Sequence, residues 1–159
     1  MQQYNYQNNV LKIKVKKSPI LVRIMMFGLA FSFFVFPLLG AIIGIANGSG
    51  LHIGYFITIG IFSLIGFYTL RMALWNTFGE ETIQILEDRV IYEANYGWFK
   101  DGKKETSTSN LHFYALPVGY EEDNKGNLII ASDGIEVESV VNIEMTQLEE
   151  LVSFLQHSI

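Results

Sequence analysis

The sequence predicts a membrane-spanning helical hairpin joined to an α+β domain, in which a strongly bent antiparallel sheet or small barrel is capped by a C-terminal helix. Three observations predict it. Residues 24 to 70 contain no Asp, Glu, Lys or Arg. From Glu81 onward the apolar residues recur at every second position, the period of a strand with one buried face. The final segment returns to helical spacing, with Leu148, Leu151, Val152 and Leu155 at i, i+3, i+4 and i+7.

A chain of 159 residues admits one domain, or a small domain plus a membrane segment. Half the residues are hydrophobic and only 17% are charged, which favours the second. Charge divides the chain sharply. Lys12, Lys14, Lys16, Lys17 and Arg23 form a basic head without an acid between residues 10 and 23. From Glu80 there are sixteen acidic residues against five basic ones (Arg89, Lys100, Lys103, Lys104, Lys125), a net −11. The formal charge of −5 is therefore a basic head added to a strongly acidic domain. Cysteine is absent, which excludes disulfides and thiolate zinc sites and leaves the compartment open. No nucleic-acid partner and no cofactor are expected.

The helical hairpin is placed at residues 20–75, with spans at about 22–46 and 52–74. The run from Ile24 to Ala46 has 23 uncharged residues, and Ile53 to Leu70 supplies 18 more, extended by Met72 to Trp75 beyond Arg71. A helix needs about 20 such residues to cross a hydrocarbon core of roughly 30 Å. The intervening "NGSGLH" is a short turn of helix-breaking residues, so the helices are antiparallel neighbours. A pair of buried core helices would carry a polar stripe, and neither segment has one. A cleaved signal peptide is disfavoured, because the apolar run exceeds the usual 7–15 residues of an h-region and no small-x-small cleavage site follows suitably.

Flanking bases set the expected orientation. Arg23 and the four lysines precede the first span, Arg71 closes the second, and the turn has no base. The positive-inside rule then puts both termini in the cytoplasm of a multi-pass inner-membrane protein. Arg23, Arg71, Trp75 and Phe78 are the expected membrane-interface anchors. Gly40 and Gly44 form a small-xxx-small pattern, and Gly54, Gly60 and Gly66 recur along the second span. Close packing within the hairpin is expected of Gly40, Gly44, Gly54 and Gly60, with dimerisation through Gly40 and Gly44 as the alternative. Pro37 should kink the first helix. No ionisable group lies in mid-membrane, so transport by this chain alone is not expected.

The domain at 80–159 reads as strands in series. "TIQI" alternates, Glu87-Asp88 makes a turn, and "RVIYEANY" is β-branched and aromatic. Asp101-Gly102 and Asp133-Gly134 are hairpin signals, because both turn residues tolerate positive φ. "KKETSTSNLHFYAL" reads as one polar strand ending at Pro117, "GYEEDNKGN" as a solvated loop, and "NLIIAS" and "IEVESVV" as a strand pair. Thr146 and Glu149 have capping-box spacing at the start of the last helix. The arm at 1–19 also alternates, with Leu11, Ile13 and Val15 on one face and Lys12, Lys14 and Lys16 on the other. It is expected to be a strand added to the sheet edge. A polybasic lipid-surface segment, worth about 1 kcal/mol per lysine, is compatible with that.

The helical hairpin, "LWNTFGEETIQI", "DRVIYEANYGWF", "KKETSTSNL", "GNLIIASDGIEVESVVNI" and "TQLEELVSFLQ" together resemble bacterial two-helix membrane proteins with a cytoplasmic PH-like domain. The resemblance covers nearly the whole chain and is carried by pattern rather than by invariant residues. It implies a fold and a location more than an activity.

Signals for an enzyme are weak. His52, His112 and His157 show no metal-ligand spacing. The Ser/Thr run at "ETSTSN" has no adjacent base, and no phosphate loop is present. "EEDNKGN" lacks the alternate-position ligands of a calcium loop. Glu80 and Glu81 are adjacent and on a strand point to opposite faces, so they read as a hinge rather than a catalytic pair. Phosphoinositide recognition would need a basic first hairpin, where this chain has Glu87, Asp88 and one Arg89. The candidate interaction surface is the segment carrying Tyr96, Trp98, Phe99, Lys100, Lys103 and Lys104. The expected function is a non-enzymatic membrane protein presenting its PH-like domain for protein interaction or membrane-complex assembly. Its partners would be the lipid bilayer and another membrane or cytoplasmic protein, or a second copy of itself. The alternatives are a lipid-surface sensor using the 96–104 segment, and an enzyme on a membrane-associated substrate.

Overall fold

The computed structural model describes residues 3–158 and divides into two units. One is helical, Lys17–Thr77; the other, a β unit, joins Met1–Lys16 to Phe78–Ile159. Met1, Gln2 and Ile159 lie outside the described residues.

In the helical unit, α1 (Ile20–Gly44) follows Pro19, and a π-helical turn (Ile45–Ser49) leads to α2 (Ile53–Phe78). Gly48 and Gly50, with φ of 88° and 68°, supply the left-handed backbone that reverses the chain. Pro37 is accommodated inside α1 without ending it. The second helix runs four residues past the expected end of its span at 74, so the last apolar turn includes Thr77 and Phe78. Thr77 caps no end; its hydroxyl donates to the Ala73 carbonyl at 2.8 Å within the helix. Both helices are long and apolar enough to cross a membrane, and only 17% and 6% of their most apolar windows are buried within the protein. They are therefore not the core helices of this fold.

The hairpin packs through small residues and aromatic rings. Ala30 and Ala41 are buried on α1 and Gly66 on α2, and the Phe33 and Phe62 rings lie 6.0 Å apart. A Cβ on Gly66 would come within 2.8 Å of the Phe34 ring. Gly44 backs onto Tyr55 in the same way. The packing expectation is corrected elsewhere. Gly40 and Gly60 have nothing within 4 Å, and the neighbour of Gly54 is His52, two residues away in its own chain segment. Six residues turn a helix by roughly 240°, so Gly60 and Gly66 cannot share a face, and the face toward α1 is the one with Gly66.

The β unit holds two antiparallel sheets. The first contains β1 (Tyr4–Gln7), β2 (Val10–Lys14), β3 (Glu80–Ile85), β4 (Arg89–Asn95) and β5 (Lys100–Ser107), in that spatial order. The second contains β6 (His112–Val118), β7 (Lys125–Ser132) and β8 (Ile135–Glu138), with the short β9 (Ile143–Glu144) also paired to β7. The chain closes with α3 (Met145–Ser158). Alternation places Leu11, Ile13, Glu81, Ile83, Ile85, Val90 and Tyr92 on the inner face of the first sheet. Phe113, Leu128, Ile130 and Val137 are buried from the second sheet, and Leu148, Leu151 and Leu155 from α3. The Tyr6 and Phe154 rings meet edge to face at 5.4 Å, so α3 reaches the outermost strand of the first sheet.

The helical unit is an insertion between paired neighbours. Lys14 and Glu80 are register partners in β2 and β3, and just beyond them the Val15 N–H donates to the Gly79 carbonyl at 3.0 Å. The chain leaves the sheet and re-enters it through adjacent strands.

Several local expectations are corrected. β1 has no counterpart in the reading above; it turns into β2 through Asn8 and Asn9, both with positive φ (52° and 61°). The β4–β5 reversal lies at Tyr96–Phe99 rather than Asp101-Gly102. Gly97 (φ 87°) takes the turn, with its N–H on the Asn95 side-chain oxygen at 2.8 Å. Gly102 (φ 67°) instead forms a bulge, marked by the register shift between Tyr92 and Ala94. "KKETSTSNLHFYAL" is two strands, broken at Asn110 (φ 53°), where the chain passes from one sheet to the other. Pro117 stays inside β6, a sheet-edge strand that does not need its missing N–H. The α3 helix begins one residue before Thr146, because β9 runs directly into it and the Met145 N–H is held by the Asn124 carbonyl at 2.9 Å. Thr146 therefore lies inside the helix rather than at its cap.

Candidate interaction site

The junction that begins β3 supplies the first functional question. Glu80 and Glu81 do face opposite ways. Glu80 lies on the outer face, where Lys12 and Lys14 approach its carboxylate at 3.5 and 3.7 Å. Glu81 is fully buried. Its carboxylate accepts the Tyr92 hydroxyl at 2.6 Å, the Val140 N–H at 2.5 Å and the Val141 N–H at 3.4 Å. Burial pushes the carboxyl above its ordinary range, against the opposing pull of these three donors. Burial also raises the Tyr92 hydroxyl, with the Glu81 charge adding to it, so Tyr92 stays a donor.

This contact explains why the "IEVESVV" strand stops early. Ser139 replaces a ladder acceptor, its side-chain oxygen taking the Leu128 N–H at 2.9 Å. The next two N–H groups then leave the sheet and find the Glu81 carboxylate instead. Glu81 is thus a structural tie between the two sheets rather than a hinge alone, and its partners lie 59 and 60 residues away. No local pattern announces that. The one available signal is a Glu at an inward position of an otherwise apolar strand.

The second candidate is the aromatic–basic segment. The structure gathers its rings and disperses its charges. Tyr96 and Phe99 stack with centroids 4.8 Å apart and an interplanar angle of 12°, and the Tyr96 N–H donates to the Phe99 carbonyl at 2.9 Å. Trp98, at the tip, is 63% exposed. Lys100 pairs with Glu93 at 2.6 Å and Lys103 with Glu105 at 2.7 Å, while Lys104 is exposed further along β5. Arg89 joins the same outer face, bridging Asp88 at 3.0 Å and Glu105 at 3.5 Å. The Lys103 contact, reinforced by Arg89, holds the Glu105 carboxyl below the usual range. Exposed pairs of this kind are worth little in stability, but they neutralise the lysines. The segment is an aromatic turn backed by ion pairs and not a cationic cradle. No family model, curated protein or solved structure matches this chain.

The turn has a fixed place in the fold. Glu80 pairs with Asn95, so the end of the sheet where β3 starts is also the end where β4 reverses. Gly97 lies against Phe78, the last residue of α2; a Cβ on Gly97 would be 2.7 Å from the Phe78 Cβ. Of the other expected anchors, Arg23 lies in the first turn of α1, and Arg71 and Trp75 in the last two turns of α2. Among the described residues no three His, Asp or Glu converge as a metal set.

Proposed function

We propose that this chain is a two-span integral membrane protein that presents a PH-like β domain at the cytoplasmic face of a cell membrane, where the domain serves as a protein-interaction or assembly module. The observation that carries the reading is the insertion of the helical hairpin between β2 and β3, closed by the Val15–Gly79 hydrogen bond. Two paired strands enter and leave the hairpin, so the domain is tethered at two points on the same side. Each helix is about 38 Å long, enough for a hydrocarbon core of roughly 30 Å. The exposed Ile, Leu and Phe side chains around both helices are the surface that lipid would cover. Flanking bases favour cytoplasmic termini. A first sheet including β2–β5, a second of β6–β8 and a closing helix support the PH-like assignment.

The native chain has no cysteine, so single substitutions give clean reporters. Ser109→Cys, in the loop after β5, should react with an impermeant maleimide in inverted membrane vesicles and not in intact cells. Ser49→Cys, between the helices, should show the reverse. The opposite pattern overturns the orientation, and recovery of the protein in the soluble fraction overturns the anchoring. A photo-cross-linker at the exposed Tyr120 should give a discrete adduct in native membranes; cross-linking that is diffuse or absent counts against the interaction role.

A further inference from the structure

We propose that the Tyr96–Phe99 turn is the membrane-contacting foot of the β unit. In this proposal Trp98, in a turn shaped by the Tyr96–Phe99 stack and packed on Phe78 through Gly97, lies in the headgroup layer of the bilayer and is held there by aromatic partition rather than by charge. The inference rests on the two-span reading of the helices.

Chain geometry fixes the distance. Phe78 ends α2 and Glu80 begins β3, so the strand starts only two residues beyond the helix, a rise of about 7 Å. The Glu80–Asn95 register carries the reversal at Tyr96–Phe99 to that same end of the sheet. Gly97 closes the remaining gap by packing on Phe78 itself. A headgroup layer is about 6 Å thick per leaflet, taken as half the difference between the whole bilayer and its hydrocarbon core. On the two-span reading, a turn packed on Phe78 lies within about one headgroup thickness of the residue that ends α2.

The chemistry of the turn suits the interface and no anionic ligand. Trp98 and Phe78 are 63% and 49% exposed, large apolar surfaces on the turn and on the residue that ends α2. Trp and Tyr favour this depth because one part of each ring system is apolar and another can hydrogen-bond to water or headgroups. The Tyr96–Phe99 stack and the Asn95–Gly97 bond hold the turn in one shape, so little conformational freedom remains to be lost on contact. Lys100 and Lys103 are already paired with Glu93 and Glu105, and Asp101 stands beside them. Attraction to anionic lipid has few unneutralised charges to act through.

The test uses the full chain in phosphatidylcholine nanodiscs with Trp75→Phe, which leaves Trp98 as the single tryptophan. Lipids brominated near the headgroup should quench most of its emission, and the emission should be blue-shifted relative to the denatured chain. Neither result should change with added anionic lipid or with high salt. Emission open to aqueous acrylamide and untouched by brominated lipid overturns the proposal. So does shielding from both quenchers, which would place Trp98 against a second copy or another protein, and so does quenching that requires anionic lipid. A companion chain carrying Leu64→Trp with both native tryptophans replaced by Phe reports on the middle of α2. If Leu64→Trp is quenched by deeply brominated lipid while Trp98 is not, the foot is wrong and the spanning helix stands. If neither is quenched, the two-span reading itself has failed.

Discussion

The Tyr92 hydroxyl donates a 2.6 Å hydrogen bond to the fully buried Glu81 carboxylate, and the same carboxylate takes the Val140 N–H from the loop after β8. One side chain thereby satisfies a phenol and the backbone at a strand break. Glu81→Ala leaves all these donors without an acceptor and opens a cavity. It should cost about 2–4 kcal/mol in denaturant unfolding of the solubilised chain, with Glu81→Gln costing less because its carbonyl can still accept. Equal stability of the wild type and the Ala variant would show that the tie carries no weight.

The same group gives a pH dependence of definite sign. Burial raises the folded-state pKa of Glu81, so between its ordinary value near 4.5 and the raised one the folded chain binds more protons than the unfolded. Its contribution is fully present below the ordinary value and is lost as pH rises through the raised one. Exposed Asp88 and Glu105 are shifted the other way by Arg89 and Lys103, and they favour the folded chain at higher pH. Subtracting the Glu81→Gln profile from the wild type isolates the Glu81 term, and the difference should slope downward with pH. An upward slope would contradict the assignment.

Leu11 and Ile13 are fully buried although they lie sixty-odd residues before the strand they pair with. Either one changed to Ala should destabilise the β unit by about 2–5 kcal/mol. Limited proteolysis of the membrane-bound chain would show it as faster cleavage between β3 and β5. An isolated 80–159 fragment lacks β1 and β2 and should be cleaved throughout.

Gly97 and Gly102 both have positive φ, but only Gly97 has a neighbour where a Cβ would go. Gly102→Ala should therefore cost about 1–2 kcal/mol, the left-handed penalty alone. Gly97→Ala should cost more, and adding Phe78→Ala should recover only part of the excess, because it removes the ring atoms but keeps the Phe78 Cβ that lies 2.7 Å from the new methyl group. A double-mutant cycle measures that coupling.

In the helical unit, Gly66→Val drives a side chain into Phe33 and Phe34 and should cost about 1–3 kcal/mol in thermal unfolding in micelles. Gly60→Val, in open space, should leave the melting temperature near that of the native chain.

The parts legible in the sequence are those set by neighbours along it. Alternation at Leu11 and Ile13 marks a buried strand face, the uncharged run marks the helices, and Asp133-Gly134 marks a two-residue turn with φ of 46° and 81°. Where two turn signals compete, pattern alone cannot rank them. Asp101-Gly102 looks stronger than Asn95 to Gly97, yet the Asn95 side chain and the pairing of Asn95 with Glu80 decide the reversal. The interaction segment was legible as a composition of rings and bases. Its character was not, because Glu93 neutralises Lys100 from the neighbouring strand and Glu105 neutralises Lys103 within β5. Glu81 was hidden for the same reason at greater range, its backbone partners Val140 and Val141 arriving only with the loop after β8.

The closure at Val15 and Gly79 also bears on how the protein is made. β2 leaves the ribosome with β1 beside it and lacks its second partner, β3, until both helices and their turn have followed. Should only one helix cross the bilayer, β2 and β3 would emerge in different compartments and the first sheet could never close. On the proposed two-span reading, completion of the β unit would require correct insertion, since only a chain threaded twice brings Leu11 and Ile13 to the strand that buries them.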